Sequence, residues 1–277
     1  MSMFTTVQTD AITNNNLVPI CMDGLVIFVP QFLGLDAYQR NIADQIISVF
    51  ENTSTEIQYG YAEIIAGDLE HGITAGRLGF TSATGDMLNF LENDYNVAPL
   101  SGYLVELRRL YALFVANNYE ISNDPQGSMN VENLGGLIAD WQQEGLNPLF
   151  QDAQDKYLDR HYYNPAMLEA KSVGLKLPLS LLCFYDCAIQ HGKEGLIAII
   201  NSVTIPYPHT QAEEILWIKS FNQKRLDVLN STSYWQDTVY RVHTLDDLLD
   251  AEKYFLNISV LTITGRANEV FILSQNP

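Results

Sequence analysis

Apolar residues along this 277-residue chain recur at helical spacing in several long segments, with strand-like runs near the two ends. Ile42, Ile46, Ile47 and Phe50 fall on one side of a 3.6-residue turn, so residues 37–50 are predicted as an amphipathic helix ending near Glu51. Leu104, Leu107, Leu110, Tyr111 and Phe114 make a second stripe within Leu100 to Val115, expected to face the core. Further helices are predicted over 147–160, 164–172, 178–191 and 211–228. Leu25 to Val29 is a strand-like run stopped by Pro30, and the runs from Ile258 to Ile263 and Glu269 to Leu273 flank a turn-like segment, the pattern of a hairpin. Between these, residues 58–88 lose the rhythm. Glycines at 67, 72, 76, 79 and 85 punctuate a Thr- and Tyr-rich stretch, which predicts short strands and turns. Asp124-Pro125-Gln126-Gly127 marks a turn and a candidate lobe boundary. Residues 1–37 read as an N-terminal extension and 38–277 as one domain of two lobes.

Composition narrows the picture. At 47% hydrophobic and 17% charged, the chain reads as a soluble globular protein. Its 15 basic residues stand against 33 acidic ones, a net charge of −18. Such a surface repels nucleic acid and anionic membrane, which are not expected partners, and draws in polycations. Cys183 and Cys187 lie four apart in an apolar helical run and are expected as buried free thiols, with Cys21 remote in sequence. No C-x-x-C pair or zinc spacing occurs, so no metal ligation is expected. No Lys or Arg precedes Arg40, and Pro19 and Asp23 interrupt the run from Leu17 to Leu35. A secretory signal and a membrane span are therefore not expected there.

Candidate chemistry begins with acids. Glu51 stands at the end of the first predicted helix, beside the negative end of its dipole, which favours the protonated form that a proton donor needs. The alternative, and the stronger reading from these residues alone, is an acid that frays into solvent. Asp68 lies in Gly67-Asp68-Leu69-Glu70-His71-Gly72-Ile73-Thr74. Two acids flanking a bond are what glycosidic hydrolysis needs, one protonated to assist the leaving oxygen and one ionised. Asp186 directly follows the apolar run from Leu181 to Tyr185, where a lone buried carboxylate is costly and calls for an arginine.

Residues 51–88 read ENTSTEIQYGYAEIIAGDLEHGITAGRLGFTSATGDML, and this stretch resembles the chitosanases of glycoside hydrolase family 46, with their E-N…Q-Y-x-Y…G-D-G-R-G-Y-T-A-G…G-F…T-G-D-M-L. Ala153-Gln154, Asp159-Arg160 and Tyr162-Tyr163-Asn164-Pro165-Ala166 resemble the family's A-Q…D-R-x-Y-F-D-P-A. Phe184-Tyr185-Asp186 with His191-Gly192, Phe221 to Arg225, and Asp237-Thr238 with Arg241-Val242 continue the match in the family's order, across roughly residues 40–245.

The resemblance implies an α+β, mainly α, lysozyme-like fold, with a substrate cleft between two lobes and a small irregular sheet. It implies endo-hydrolysis of β-1,4 bonds in chitosan by inversion, without a cofactor. Glu51 would be the acid, Asp68 the base and Thr74 the residue that holds the attacking water. Asp86, Asn52, Tyr61 and His71 would meet substrate, while Asp186, Arg225 and Arg241 form an ion-pair network behind Glu51. For Asp186 a purely structural pairing is the alternative, and His191 reads as structural. Asp86 is alternatively a helix cap, and the cap and substrate roles are expected to compete. The catalytic loop departs from the family: Asp68 is six residues before Thr74, Glu70 is four before, and His71 stands nearest the family's missing arginine. Glu70 is therefore the alternative base. Chitosan or its oligosaccharides are the expected partners of a monomer, and the resemblance implies a secreted protein. The alternatives are a non-catalytic polysaccharide binder of the same fold and a lysozyme-like cell-wall hydrolase.

Overall fold

The computed structural model describes residues 17–22, 25–30, 34–65, 71–119, 130–231, 235–257 and 260–274. Asp68, Glu70, the candidate lobe boundary at 124–127 and the side chain of Cys21 lie outside what is described.

The first helix, α1 (Ala37–Asn52), starts where local chemistry dictates. Asp36 accepts from the backbone N–H of Gln39 at 2.8 Å, and Gln39 accepts from that of Asp36 at 3.1 Å, a reciprocal capping box. Thr53 turns left-handed (φ 53°) and ends it, two residues beyond the predicted stop. A three-stranded antiparallel sheet follows, β3 (Ala62–Glu63), β4 (Thr74–Ala75) and β5 (Phe80–Thr81), after an N-terminal hairpin of β1 (Leu17–Met22) and β2 (Leu25–Pro30). Then come α2 (Asp86–Asn93), α3 (Leu104–Ala116), α4 (Leu137–Glu144), α5 (Pro148–Leu158), α6 (Asn164–Val173), α7 (Pro178–Ser202), α8 (Gln211–Asn230) and α9 (Val239–Asp250). A terminal hairpin, β6 (Val260–Thr264) on β7 (Val270–Ser274), closes the described chain.

These elements bury their apolar faces in two main clusters. One gathers Ile42 and Ile46 of α1, Phe184 of α7, Trp217 and Phe221 of α8 and Leu245 of α9, with Leu261, Ile263 and Leu273 from the terminal hairpin. The other packs the small sheet and α2–α5 around Phe80, Phe90, Trp141, Phe150 and Tyr157, whose rings lie 4.8–5.9 Å apart in stacked, tilted and edge-on pairs. Leu78 and Tyr162 pack against both. Helices α5 and α6 run into each other through a π-helical stretch, Asp159–Tyr163, that bridges the two clusters. The wider turn inserts a residue into the helical ladder, a distortion that commonly accompanies functional positions.

Helix α7 consists of two helical stretches joined at Gly192, whose φ 69°, ψ 175° is not helical. The first stretch therefore stops at the predicted end, 191, and a second runs on to Ser202. Helices α4 and α9 were not predicted. Helix α4 is short, and α9 mixes Arg241, His243, Thr244 and three aspartates among its apolar residues, which blurs the period.

Candidate active site

Glu51 stands in the last turn of α1, half-buried, with Oε1 accepting from Arg241 Nη1 at 2.6 Å. Arg241, on α9, turns its other two nitrogens on Asp186 of α7: Nε and Nη2 donate to Oδ1 at 3.1 and 2.5 Å. Arg225 of α8 takes Oδ2 of the same carboxylate at 2.6 Å. The side chains of Arg225 and Asp186 are wholly buried. The line Arg225–Asp186–Arg241–Glu51 thus alternates in sign and draws on four helices. Burial alone would raise the Asp186 carboxyl, but Arg241 and Arg225 outweigh it and hold the group below the ordinary carboxylate range. Tyr240 secures the same helix end by donating to the carbonyl of Phe50 at 2.8 Å. Arg241 also lies 5.2 Å from the Phe50 ring centre.

Glu51 Oε2 has no hydrogen bond among the described residues. The carboxyl faces a cleft of about 260 Å³, lined also by Arg241, Leu78, Tyr162, Gln190 and Trp235. An apolar and aromatic wall beside a few convergent polar groups suits a sugar, whose rings present apolar faces and hydroxyl edges. Burial pushes the Tyr162 hydroxyl up to about 12, so it stays a neutral donor. Gln190 braces the ion pairs, accepting from Arg225 Nε at 3.1 Å and donating to Thr238 Oγ1 at 2.7 Å. Tyr162, Gln190 and Trp235 were not singled out in the sequence. Tyr162 and Trp235 sit in or beside matched segments, and that adjacency is the available signal.

Thr74 lies on β4, its strand paired with Glu63 on one side and Thr81 on the other. Asn52 follows Glu51 and donates from Nδ2 to the carbonyl of Arg77 at 3.4 Å. Tyr61 donates to the carboxylate of Glu63, and the carbonyl of His71 accepts from the Ala83 N–H at 3.3 Å. Asp86 is the first residue of α2, while Gly85 occupies the cap position. Its Oδ1 accepts from Thr81 N, Met87 N, Thr81 Oγ1 and Thr84 Oγ1, at 2.9, 2.9, 3.1 and 3.1 Å. Asp86 is therefore not the helix cap. One oxygen ties down the turn, and Oδ2 makes no hydrogen bond among the described residues. Burial raises this carboxyl, while the four donors oppose the shift.

Among the described residues no group of three or more His, Cys, Asp or Glu side chains is placed to hold a metal. Cys183 and Cys187 are buried free thiols, and burial pushes both well up. No helix among the described residues is long and apolar enough to cross a membrane.

Comparison with known proteins places this geometry in a family. Residues 45–260 match the model of glycosyl hydrolase family 46. The chain is 36% identical to a chitosanase of Bacillus subtilis strain 168 over 240 residues, 81% of each protein. It is 30% identical to a chitosanase of Nocardioides sp. strain N106 over 80% of this chain and 77% of that one. Among solved structures, a family 46 chitosanase of Gynuella sunshinyii in complex with chitotetraose superposes with a TM-score of 0.72 and 37% identity, covering 87% of this chain and all of that one. A mutant chitosanase of Bacillus subtilis MY002 complexed with 6 GlcN gives 0.72 at 32% identity, covering 86% of this chain and 99% of that one. The chain belongs to glycosyl hydrolase family 46, and it is a glycoside hydrolase with that family's lysozyme-like fold.

Proposed function

We propose that this protein is an endo-acting chitosanase that cleaves β-1,4 bonds between glucosamine units with inversion. One observation carries the reading: Glu51 faces the cleft with one oxygen held by Arg241 and the other without a partner among the described residues. A fixed carboxyl with one oxygen to spare is what proton donation to a glycosidic oxygen requires. Arg241, fixed in turn by Asp186 and Arg225, sets the rotamer of Glu51 and keeps its spare oxygen in the cleft. Asp68 is assigned as the base that deprotonates a water on the opposite face, with Glu70 as the alternative, and Thr74 as the hydroxyl that holds this water by donating and accepting at once. Inversion requires the two carboxyl groups to stand about 6.5–9.5 Å apart. Tyr162 and Trp235 would lie against sugar faces, and Asp86 Oδ2 would meet a glucosamine ammonium. The net charge of −18 draws a cationic polymer toward the cleft. The relatives named as chitosanases, and the neighbours solved with chitotetraose and with 6 GlcN, support the substrate class. The proposed state is a monomer.

The test is reducing-sugar release from chitosan by the parent and by Glu51→Gln. The amide keeps the shape and cannot donate the catalytic proton, so a loss of about 10²–10⁴ in kcat with unchanged folding is expected. Near-parent turnover in the variant would remove Glu51 from the acid role. A parent inert on chitosan would favour a non-catalytic binder, or a cell-wall hydrolase if it lyses wall suspensions.

A further inference from the structure

A second ion-pair network lies outside the Glu51 line, and Arg77 is its hub. Arg77 occupies the turn from β4 to β5, three residues after Thr74 and one before Leu78, which lines the cleft with Glu51. It is only 5% exposed. Its Nη2 reaches Asp44 of α1 at 3.3 Å, and its Nη1 pairs closely with Asp155 of α5. The backbone repeats the same two attachments. The Arg77 N–H donates to Gln154 Oε1 of α5 at 3.0 Å, and the Arg77 carbonyl accepts from Asn52 of α1 at 3.4 Å. Asp44 is fixed independently by Arg40 at 3.0 Å and by the hydroxyl of Tyr185 at 2.9 Å. Asp155 accepts from the hydroxyl of Tyr59 at 3.0 Å through both oxygens.

A turn in a glycine-rich segment has little packing of its own to hold its place. This one is tied four times, each time to α1 or α5, and α1 is the helix that ends in Glu51. We propose that Arg77 is a positioning residue, one that fixes the strand carrying Thr74 against the carboxyl end of α1 and so sets the spacing between the attacking water and the acid. The inference rests on the catalytic reading above. A purely stabilising role would ask less of this side chain. Asp155 is 42% exposed and Asp44 retains Arg40 and Tyr185, so without Arg77 both acids keep water or other partners.

The test compares steady-state chitosan hydrolysis and thermal unfolding for the parent, Arg77→Lys and Asp155→Asn, each also combined with Thr74→Val. Lysine keeps the charge, but a single ammonium cannot fork to two carboxylates as a guanidinium does. For Arg77→Lys, kcat is expected to fall about 10–100-fold with KM within about twofold, at temperatures where the variant is folded. Asp155→Asn removes one arm of the fork and should follow with a smaller loss. If Arg77 acts through the Thr74 strand, the loss on adding Thr74→Val will be much smaller than in the parent background. The proposal is overturned by unchanged kcat in both variants, by a loss that only tracks the folded fraction, or by losses that multiply with that of Thr74→Val. Failure of the underlying reading shows separately, as an inert parent or an active Glu51→Gln, and would take the proposal with it.

Discussion

At the scale of single residues, Asp186 sets the terms. A carboxylate with no exposure survives only because two guanidinium groups face it, and removing one leaves a charge that water cannot reach. Arg225→Ala is expected to cost about 3–5 kcal/mol of stability, read from urea unfolding, and to lower turnover through Arg241 and Glu51. The pH dependence has a definite sign. The folded-state pKa of Asp186 is depressed, so its stabilisation is complete above the unfolded value of about 4 and is lost as pH falls through the lower folded value. An unchanged urea midpoint in Arg225→Ala would show that the pair contributes nothing. The need for this partner was legible, because an acid inside an apolar run cannot stand alone. Arg77 was not. In a glycine-rich turn an arginine reads as a solvated side chain, and only the fold brings Asp44 and Asp155 to it.

Among the elements, α7 carries both the acid of the network and a pH-sensitive neighbour. His191 sits one residue before the kink, its ring 5.6 Å from that of Trp235, and its Nε2 is buried without a hydrogen bond among the described residues. Burial, reinforced by nearby Arg225, lowers its pKa to about 4. The folded protein therefore resists the proton that the unfolded chain accepts near pH 6.5, and this group's contribution is full above about 6.5 and lost as pH falls toward 4. His191→Phe keeps a ring against Trp235 and removes the titration. Its urea midpoint is expected to decline less than the parent's between pH 6.5 and 4, and parallel declines would contradict the assignment. The helices themselves were legible wherever apolar residues kept the 3.6-residue period, as in α1 and α3. The stop at Gly192 was legible too, because a glycine near a helix end reads as a stop: at φ 69°, ψ 175° it takes a backbone state nearly exclusive to glycine. The second helical stretch beyond it was not read from the sequence.

Over the whole molecule, the apolar faces meet in two packed clusters, and the chain carries a net charge of −18. The small sheet was legible from the family-like motifs more than from periodicity, since its short strands carry too few residues to show a pattern. Long-range attraction for a polycation should fade as salt shortens the Debye length from about 30 Å at 0.01 M to about 3 Å at 1 M. KM for chitosan is therefore expected to rise several-fold over that range while kcat changes little, and a salt-independent KM would deny the charge a role in capture. The most direct measurement on the chemistry itself is proton NMR of the fresh chain ends released from a glucosamine oligomer, recorded before mutarotation equilibrates them. Inverting cleavage of a β-1,4 bond, with Glu51 as acid and a separate base activating water, must deliver the α anomer first. Product appearing first as the β anomer would contradict it.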